Sequence, residues 1–313
     1  MAATRTGTGI ALSLVCLCIL GGMPVISNSR PDDFSALGFA FFLSVWQLVF
    51  AVPLFVHELG ADDKGIFGAS FSLRERRRVL LVVLATGAVF GLSTYLYVLG
   101  VEKAGAVNAA IAIQAYPLFA ILWETLFLER RKTADELILT AVLIGALFFL
   151  ATGGSGKVDG VSPWFFMALA VPFLWSIAHV IIKEELGRTP ITPAQVTFVR
   201  VAVSVVFLAG VLAIAEPSAF GVAIQRVDFQ AIAAIMGLVY YIELIVWFYA
   251  VRWIDVSLAS SIVTPWPALT MVLAVVILGD PVEAYQIGAF LVIAASIYGL
   301  MVAGLRKEQA SSA

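Results

Sequence analysis

VSLASSIVTPWPALTMVLAVVILG, residues 256–279, runs for 24 residues without a charged side chain. A helix needs about 20 apolar residues to cross the hydrocarbon core of a membrane, so this stretch is long enough to be a transmembrane span. Its middle is unusual, because Pro265 and Pro267 lack the N–H groups that a continuous helix uses. Backbone groups left unpaired at that depth are tolerated only inside protein or beside a water-filled cavity. The stretch therefore predicts a broken membrane helix, of the kind that lines the binding sites of transporters.

A similar stretch lies 150 residues earlier, at AGAVNAAIAIQAYPLFAILWETLFL, residues 104–128. The offset places Pro117 opposite Pro267 and Tyr116 opposite Trp266. Because 150 is close to half of the 313 residues, the chain reads as two similar halves. We expect the first half to be residues 1–152 and the second to be residues 162–313, with a flexible, glycine-rich linker at residues 153–161.

The composition indicates a membrane protein. Hydrophobic residues make up 61% of the chain and charged residues 13%, whereas soluble domains carry about 25% charged residues. The apolar runs predict an all-α integral membrane protein with ten spans, at residues 8–28, 35–56, 79–99, 104–128, 134–152, 162–182, 193–215, 229–251, 256–278 and 284–304.

The basic residues between the spans predict the orientation. With both termini in the cytoplasm, the inside segments hold fourteen Lys and Arg residues and the outside segments hold four. Cytoplasmic loops of membrane proteins carry such an excess, so we expect both termini inside. The longest inside loop, residues 57–78, ends in the RERRR run at 74–78. Because each half has five spans, an odd number, the second half crosses the membrane upside down relative to the first, which makes an inverted repeat.

Two long segments now indicate a family. They are LGVEKAGAVNAAIAIQAYPLFAILWETLFLER, residues 99–130, and YAVRWIDVSLASSIVTPWPALTMVLAVVILGD, residues 249–280. Together with Val199-Arg200 and residues 175–183 they resemble the drug/metabolite transporter superfamily, in its EamA-domain branch. The sequence departs from that pattern at Gln47, where the family commonly has a basic residue. The resemblance implies secondary transport of small metabolites, often outward, through a cavity between the halves.

Ionisable residues inside the spans are the first candidates for a site, because charge is costly at that depth. Glu243 lies in the middle of the eighth predicted span and Arg200 lies in the seventh, at similar depths from the inside face. The two helices are consecutive and antiparallel, so the side chains can meet. Two roles remain open for Glu243: a buried ion pair with Arg200, or binding of a substrate or proton. His179, in the sixth span, is a further candidate for coupling.

Aromatic and amide side chains surround these positions. We expect Glu243 to share a substrate site with Trp266, Tyr240, Tyr116, Gln114, Trp175, Trp247 and Tyr95. Aromatic faces beside one acid suit an amine by cation–π attraction. They suit an amino acid or a flat aromatic metabolite equally well.

The expected function is a secondary transporter in the cell (inner) membrane, moving an amine, amino acid or aromatic compound, with export favoured. The alternatives are a channel, or an integral membrane enzyme or receptor that does not transport. Two cysteines and two histidines supply neither a disulfide framework nor a metal site, and we expect no cofactor. The chain lacks a G-x-x-x-x-G-K-[ST] run, so a gradient of protons, ions or substrate is the expected energy source. We expect a monomer or homodimer in the lipid bilayer, and no binding of nucleic acid.

Overall fold

A computed structural model describes residues 2–60, 65–68, 72–116, 118–119, 122–123, 133–254 and 256–312. All regular secondary structure within these ranges is helical. The helices are α1 (Ala2–Asn28), α2 (Ala36–Leu59), α3 (Leu73–Ala104), α4 (Ala106–Ile113), α5 (Ala134–Ala151), α6 (Pro163–Arg188), α7 (Pro193–Ala215), α8 (Ala219–Gln225), α9 (Val227–Trp253), α10 (Val256–Val263), α11 (Trp266–Leu273) and α12 (Ala284–Ser312). Single 3-10 turns lie at Gly65–Phe67 and Val158–Gly160, and a π-helical turn at Ala274–Leu278 follows α11.

Eight of these helices, as far as the structure describes the chain, are long and apolar enough to cross a membrane. They are α1, α2, α3, α5, α6, α7, α9 and α12, and each coincides with a span expected from the sequence. The other two expected spans are divided. Residues 256–278 form α10, α11 and the π-helical turn, while residues 104–128 contain α4 and then lie largely outside the described residues.

Three helices begin with a capping box, in which a hydroxyl and a side chain three residues later bond to each other's backbone N–H groups. The pairs are Ser72 with Glu75, Thr133 with Glu136, and Thr192 with Gln195. The cap at Ser72 starts α3 earlier than the hydropathy indicates. The RERRR run, expected in a loop, therefore forms the first turns of α3.

The packing of the helices relates the two halves of the chain. α1 lies along α9, and α6 lies along α3; α3 contacts α7, and α9 contacts α2; α5 packs against α12, and α2 against α7. Exchanging each helix for its counterpart in the other half reproduces this set of contacts.

Two glycines 150 residues apart allow equivalent close helix contacts. A Cβ on Gly87 of α3 would lie 2.5 Å from Val203 Cβ and 3.1 Å from the carbonyl oxygen of Arg200, both in α7. A Cβ on Gly237 of α9 would lie 2.6 Å from the carbonyl oxygen of Leu43 and 2.8 Å from the amide nitrogen of Gln47, both in α2. Small residues let membrane helices approach this closely.

The helix over residues 256–278 is interrupted at its centre. α10 ends at Val263, Thr264 and Pro265 form a turn, and α11 begins at Trp266. The Thr264 hydroxyl donates to the carbonyl oxygen of Ser260 at 2.9 Å, and the Ala268 amide donates to that of Pro265 at 3.0 Å. These two bonds satisfy the carbonyls on either side of the interruption and hold the turn together.

The corresponding helix of the first half also changes course, because α4 ends at Ile113 and Gln114 and Ala115 form a turn. Pro117, the expected break of this helix, lies outside the described residues. α4 packs against α11, so the turn after α4 and the interruption before α11 belong to neighbouring helices.

Candidate functional site

Glu243 lies at the contact between α9 and α1, with 7% of its surface exposed. The Cys16 thiol donates to its carboxylate Oε1 at 3.8 Å and to its backbone carbonyl at 3.5 Å. No ion pair within 4.0 Å reaches Glu243 from any residue in the described ranges. The carboxylate is therefore buried beside a weak donor rather than beside a cation.

Arg200 on α7 is also buried, with 3% of its surface exposed. Its guanidinium carbon lies 3.8 Å above the ring centre of Phe90 on α3, a cation–π contact. Its Nε and Nη1 atoms have no hydrogen-bond partner in the described part of the chain. Glu243 is near enough to influence Arg200 electrostatically, but the two do not form an ion pair.

His179 on α6 is the centre of an aromatic cluster. Its ring centre lies 5.4 Å from that of Phe90, 5.8 Å from Trp247, 5.9 Å from Tyr116 and 6.4 Å from Trp175. The Trp175 ring in turn stacks on Tyr97, with the ring centres 6.3 Å apart. We refer to these six residues, His179, Phe90, Tyr97, Tyr116, Trp175 and Trp247, as the His179 cluster. It joins α3, the segment after α4, α6 and α9.

Polar side chains hold the rings in place. Trp175 Nε1 donates to Ser93 Oγ at 3.0 Å, and the Thr94 hydroxyl donates to the carbonyl oxygen of Phe90 at 2.8 Å. Ser93 and Thr94 both lie on α3, one turn before Tyr97. The bond from Trp175 fixes its ring against the side of α3 that packs on α6.

The cluster nevertheless keeps polar atoms without partners. Within the described residues, seven buried side-chain nitrogen and oxygen atoms make no hydrogen bond, and four of them belong to His179, Tyr97 and Arg200. Buried polar atoms are nearly always paired, and exceptions tend to mark functional sites or places that water or a ligand occupies. The region from Arg200 to Tyr97 is therefore the strongest candidate for a binding site.

A small cavity of about 20 Å³ lies beside Arg200, between α3, α6 and α7. Its walls are mostly apolar, with Thr86, Glu185 and Thr189 as the other polar residues. A cavity of this size holds roughly one water molecule. Arg200 thus contributes its charge to the wall of a small, mostly apolar space.

The structure brings most of the expected site residues together. Tyr116, Trp175, Trp247 and His179 are in the His179 cluster, and Tyr240, Glu243 and Arg200 adjoin it. Trp266 is buried at the start of α11 and Gln114 in the turn after α4, while Tyr95 is half-buried on α3. Among the described side chains, no ring contact joins Tyr95 or Trp266 to the cluster.

Five further residues take part that the sequence did not identify as site residues: Cys16, Phe90, Ser93, Thr94 and Tyr97. The 150-residue offset does point to two of them, because Ser93 is the counterpart of Glu243 and Tyr97 that of Trp247. Cys16 and Phe90 give no such signal, because in an apolar span a site residue of this kind looks the same in the sequence as a residue that only packs.

Known proteins resemble the chain over nearly its whole length. The EamA-like transporter family matches residues 7–152 and again residues 162–302. A relative from Streptantibioticus cattleyicolor, described as "Probable terminal-alkyne amino-acid exporter", is 26% identical over 293 residues, which cover 85% of this chain and 96% of the relative. A crystal structure of another protein, 16% identical, superimposes with a TM-score of 0.62 over 95% of this chain and 96% of the other. That likeness shows a shared fold.

The two family matches cover most of the chain, and the helices are those of a protein that crosses the membrane several times. The chain therefore belongs to the EamA-like transporter family, and it is a membrane transport protein rather than an enzyme.

Proposed function

We propose that this protein is a secondary transporter that exports a small amino acid or a related amine or aromatic metabolite by alternating access. The observation that carries the proposal is the group formed by the buried charges Glu243 and Arg200 with the His179 cluster, where charges and aromatic faces meet between the two halves. An amino acid offers a charged group and a side chain to such a site. The name of the Streptantibioticus relative supports this class and the outward direction.

The fold that we propose has ten spans in two inverted five-helix repeats, residues 1–152 and 162–313, with both termini in the cytoplasm. Three observations support it: the family matches the chain twice, the helix contacts survive the exchange of halves, and Gly87 and Gly237 occupy equivalent contacts. α10, α11 and the π-helical turn would together form the ninth span. The fourth would begin with α4.

The contacts at the two ends of the bundle fit this arrangement. At the end that carries the linker, Arg30 pairs with Glu102 and Arg226 with Asp33. At the opposite end, Arg78 contacts Glu185 at 3.4 Å. The proposed topology places the first set outside the cell and the second in the cytoplasm. Each end includes one ion pair between the halves, Arg226–Asp33 and Arg78–Glu185, as expected if the ends open in turn.

Within the site we assign substrate contact to Glu243, Tyr240, Tyr116, Trp175 and Trp247. Trp266, Gln114 and Tyr95 would line the path to it, on the helices that flank the interruption before α11 and on α3. Arg200, which is buried, and His179, whose Nδ1 atom is buried and unpaired, are the residues that we expect to respond to the charge of the substrate or of a coupling proton or ion. The protein would act in the cell (inner) membrane, as a monomer or a homodimer.

A counterflow experiment tests the function. Proteoliposomes loaded with an unlabelled mixture of amino acids are diluted into a trace of the labelled compounds. A secondary transporter accumulates label above the external concentration, because the outward gradient drives exchange. A channel only equilibrates the label, and a receptor takes up none. Liposomes without protein supply the background, and equilibration without accumulation would contradict the proposal.

A further inference from the structure

Arg200 is a buried charge with two guanidinium nitrogens that have no hydrogen-bond partner among the described residues. It is 3% exposed, and neither Nε nor Nη1 has an acceptor within the described residues. Leaving a buried charged donor unsatisfied costs more than leaving a neutral one. A cation in the interior of a membrane protein is costly in itself, and such residues are usually functional. A bound ligand that supplies the hydrogen-bond acceptor would account both for the unpaired nitrogens and for the presence of a buried cation.

Glu243 does not supply this acceptor. Its carboxylate accepts from Cys16 and makes no ion pair within 4.0 Å with Arg200, although both side chains are described. The polar groups around Arg200, which include His179 and Tyr240 and, across the small cavity, Thr86, Glu185 and Thr189, also leave Nε and Nη1 unpaired. Arg200 and Glu243 are thus two separate charged positions at one site.

The chemistry of Arg200 selects an anion with oxygen acceptors. A guanidinium is planar, stays charged, and presents several N–H donors that match the oxygens of a carboxylate. Phe90 covers one face of the guanidinium at 3.8 Å, which fixes its plane and leaves the N–H donors at its edges available. A lysine would offer a point charge without this arrangement.

Arg200 also lines a space that can admit such a group. The cavity of about 20 Å³ beside it is bounded by Val82 and Thr86 of α3, Ile182 and Glu185 of α6, and Val196 of α7. It holds roughly one water molecule, so a carboxylate fits only after α3 and α6 separate at this end. The Arg78–Glu185 contact that joins these helices is 3.4 Å long, and the Arg78 side chain is 45% exposed. Exposed ion pairs contribute little, so they open readily.

We propose that Arg200 binds the carboxylate group of the transported substrate. This rests on the proposed function and narrows it: the substrate is a carboxylate-bearing compound, such as a zwitterionic amino acid, and an amine without a carboxylate is not one. The carboxylate lies at Arg200, over the edge of the Phe90 ring. The ammonium group of a zwitterion then lies toward Glu243 and the aromatic faces of Tyr240 and Trp247, where cation–π attraction favours it.

Thermal unfolding of the purified protein tests the carboxylate requirement, since a ligand that binds the folded state raises Tm. The probes are L-phenylalanine, L-leucine and L-propargylglycine, each compared with its C-terminal amide and its decarboxylated amine. At least one free acid should raise Tm in a concentration-dependent way. Its amide and amine should bind about tenfold or more weakly, because they lose a charged hydrogen bond. Equal stabilisation by amide or amine, or none by any free acid, would overturn the proposal.

Variants test whether the preference for the free acid depends on Arg200. Arg200→Gln should abolish the preference for the free acid over its amide, while Arg200→Lys should retain part of it. Arg188→Gln, which removes an exposed arginine at the end of α6, is the matched control and should bind as wild type does. If Arg200→Gln does not fold, Phe90→Leu removes the ring beneath the guanidinium and should still weaken binding of the acid several-fold. An unchanged preference in Arg200→Gln, or in Phe90→Leu where it replaces that variant, contradicts the proposal.

Different results would contradict the carboxylate-binding role of Arg200 and the proposed transport function. Accumulation of an amine or an amide by counterflow, with no preference for the acid, would leave secondary transport standing and remove the role of Arg200. Absence of counterflow with every compound would instead contradict the proposed function itself.

Discussion

At the scale of single residues, Glu243 is exceptional because its donor is a thiol. Placing an ionised carboxylate near the centre of a membrane costs ~2.5–3.5 kcal/mol on the scale measured from membrane insertion, which gives lower costs than simulations do. A thiol is a weak hydrogen-bond donor and does not offset that cost. Arg200, the nearest cation in the site, does not pair with it directly. A purely structural acid would be expected to have a stronger partner, so the environment of Glu243 favours a role in binding.

We predict that Glu243→Gln leaves the protein folded and reduces transport at least tenfold. The amide keeps the shape of the side chain and removes the charge that attracts a cationic group or a proton. Flux of a zwitterionic or cationic substrate should fall, and the pH dependence of the remaining flux should flatten. Glu283→Gln, at an exposed acid before α12, is the control and should behave as wild type does. Both are measured by counterflow between pH 5.5 and 8.5.

Normal flux in Glu243→Gln with the wild-type pH profile would assign Glu243 a structural role. Misfolding of both Glu243→Gln and Arg200→Gln, seen as aggregation on size exclusion, would point the same way. Either outcome would leave the His179 cluster as the substrate site without its acid.

At the scale of elements, the interruption between α10 and α11 depends on two prolines. Pro265 cannot donate to the carbonyl of Ser261, and Pro267 cannot donate to that of Val263. The Thr264 hydroxyl donates to the carbonyl of Ser260, one residue before the first of these. The break is stable because it is packed against α1 and α4, away from lipid. It gives the helix a point at which its two parts can change their angle.

We predict that the double variant Pro265→Ala, Pro267→Ala raises Tm and lowers the rate of transport. Restoring both N–H groups lets α10 and α11 join into one continuous helix, which is more stable by itself but less able to bend. Pro53→Ala is the control, because Pro53 lies on the exposed side of α2 without interrupting it. Wild-type flux in the double variant would show that the interruption is only a packing feature.

Most helices were predictable from the sequence, and the site was predictable in part. Crossing a bilayer needs a long apolar run whatever the run packs against, so hydropathy located the eight long helices. The start of α3 at Leu73 was not expected, because a capping box can extend a helix through charged residues. The cluster around His179 depends on how α6 crosses α3 and α9. The contact of Cys16 with Glu243 depends on how α1 lies along α9. The residue pattern within a single helix does not determine either arrangement.

At the scale of the whole molecule, the proposed repeat would be a symmetrical scaffold with an asymmetrical site. Gly87 and Gly237 make equivalent contacts, with the backbone of Arg200 and with that of Gln47 respectively. At the 150-residue offset Arg200 corresponds to Phe50 and Glu243 corresponds to Ser93, so neither charge has a charged counterpart in the first half. Because both charges come from the second half, the proposed repeat has one charged site rather than two, which is what a single substrate per cycle requires.

The last prediction concerns the orientation of this scaffold. The fourteen-to-four distribution of basic residues predicts that the linker faces outward and that the turn after α6 faces the cytoplasm. Lys157 and Arg188 are exposed at these two places. In a Cys18→Ala background, which removes the exposed native thiol, Lys157→Cys should react with a membrane-impermeant maleimide in intact cells. Arg188→Cys should react only after the membrane is opened. The reverse pattern would invert the topology, and labelling of both in intact cells would remove the inverted repeat, because the sixth span would no longer separate them.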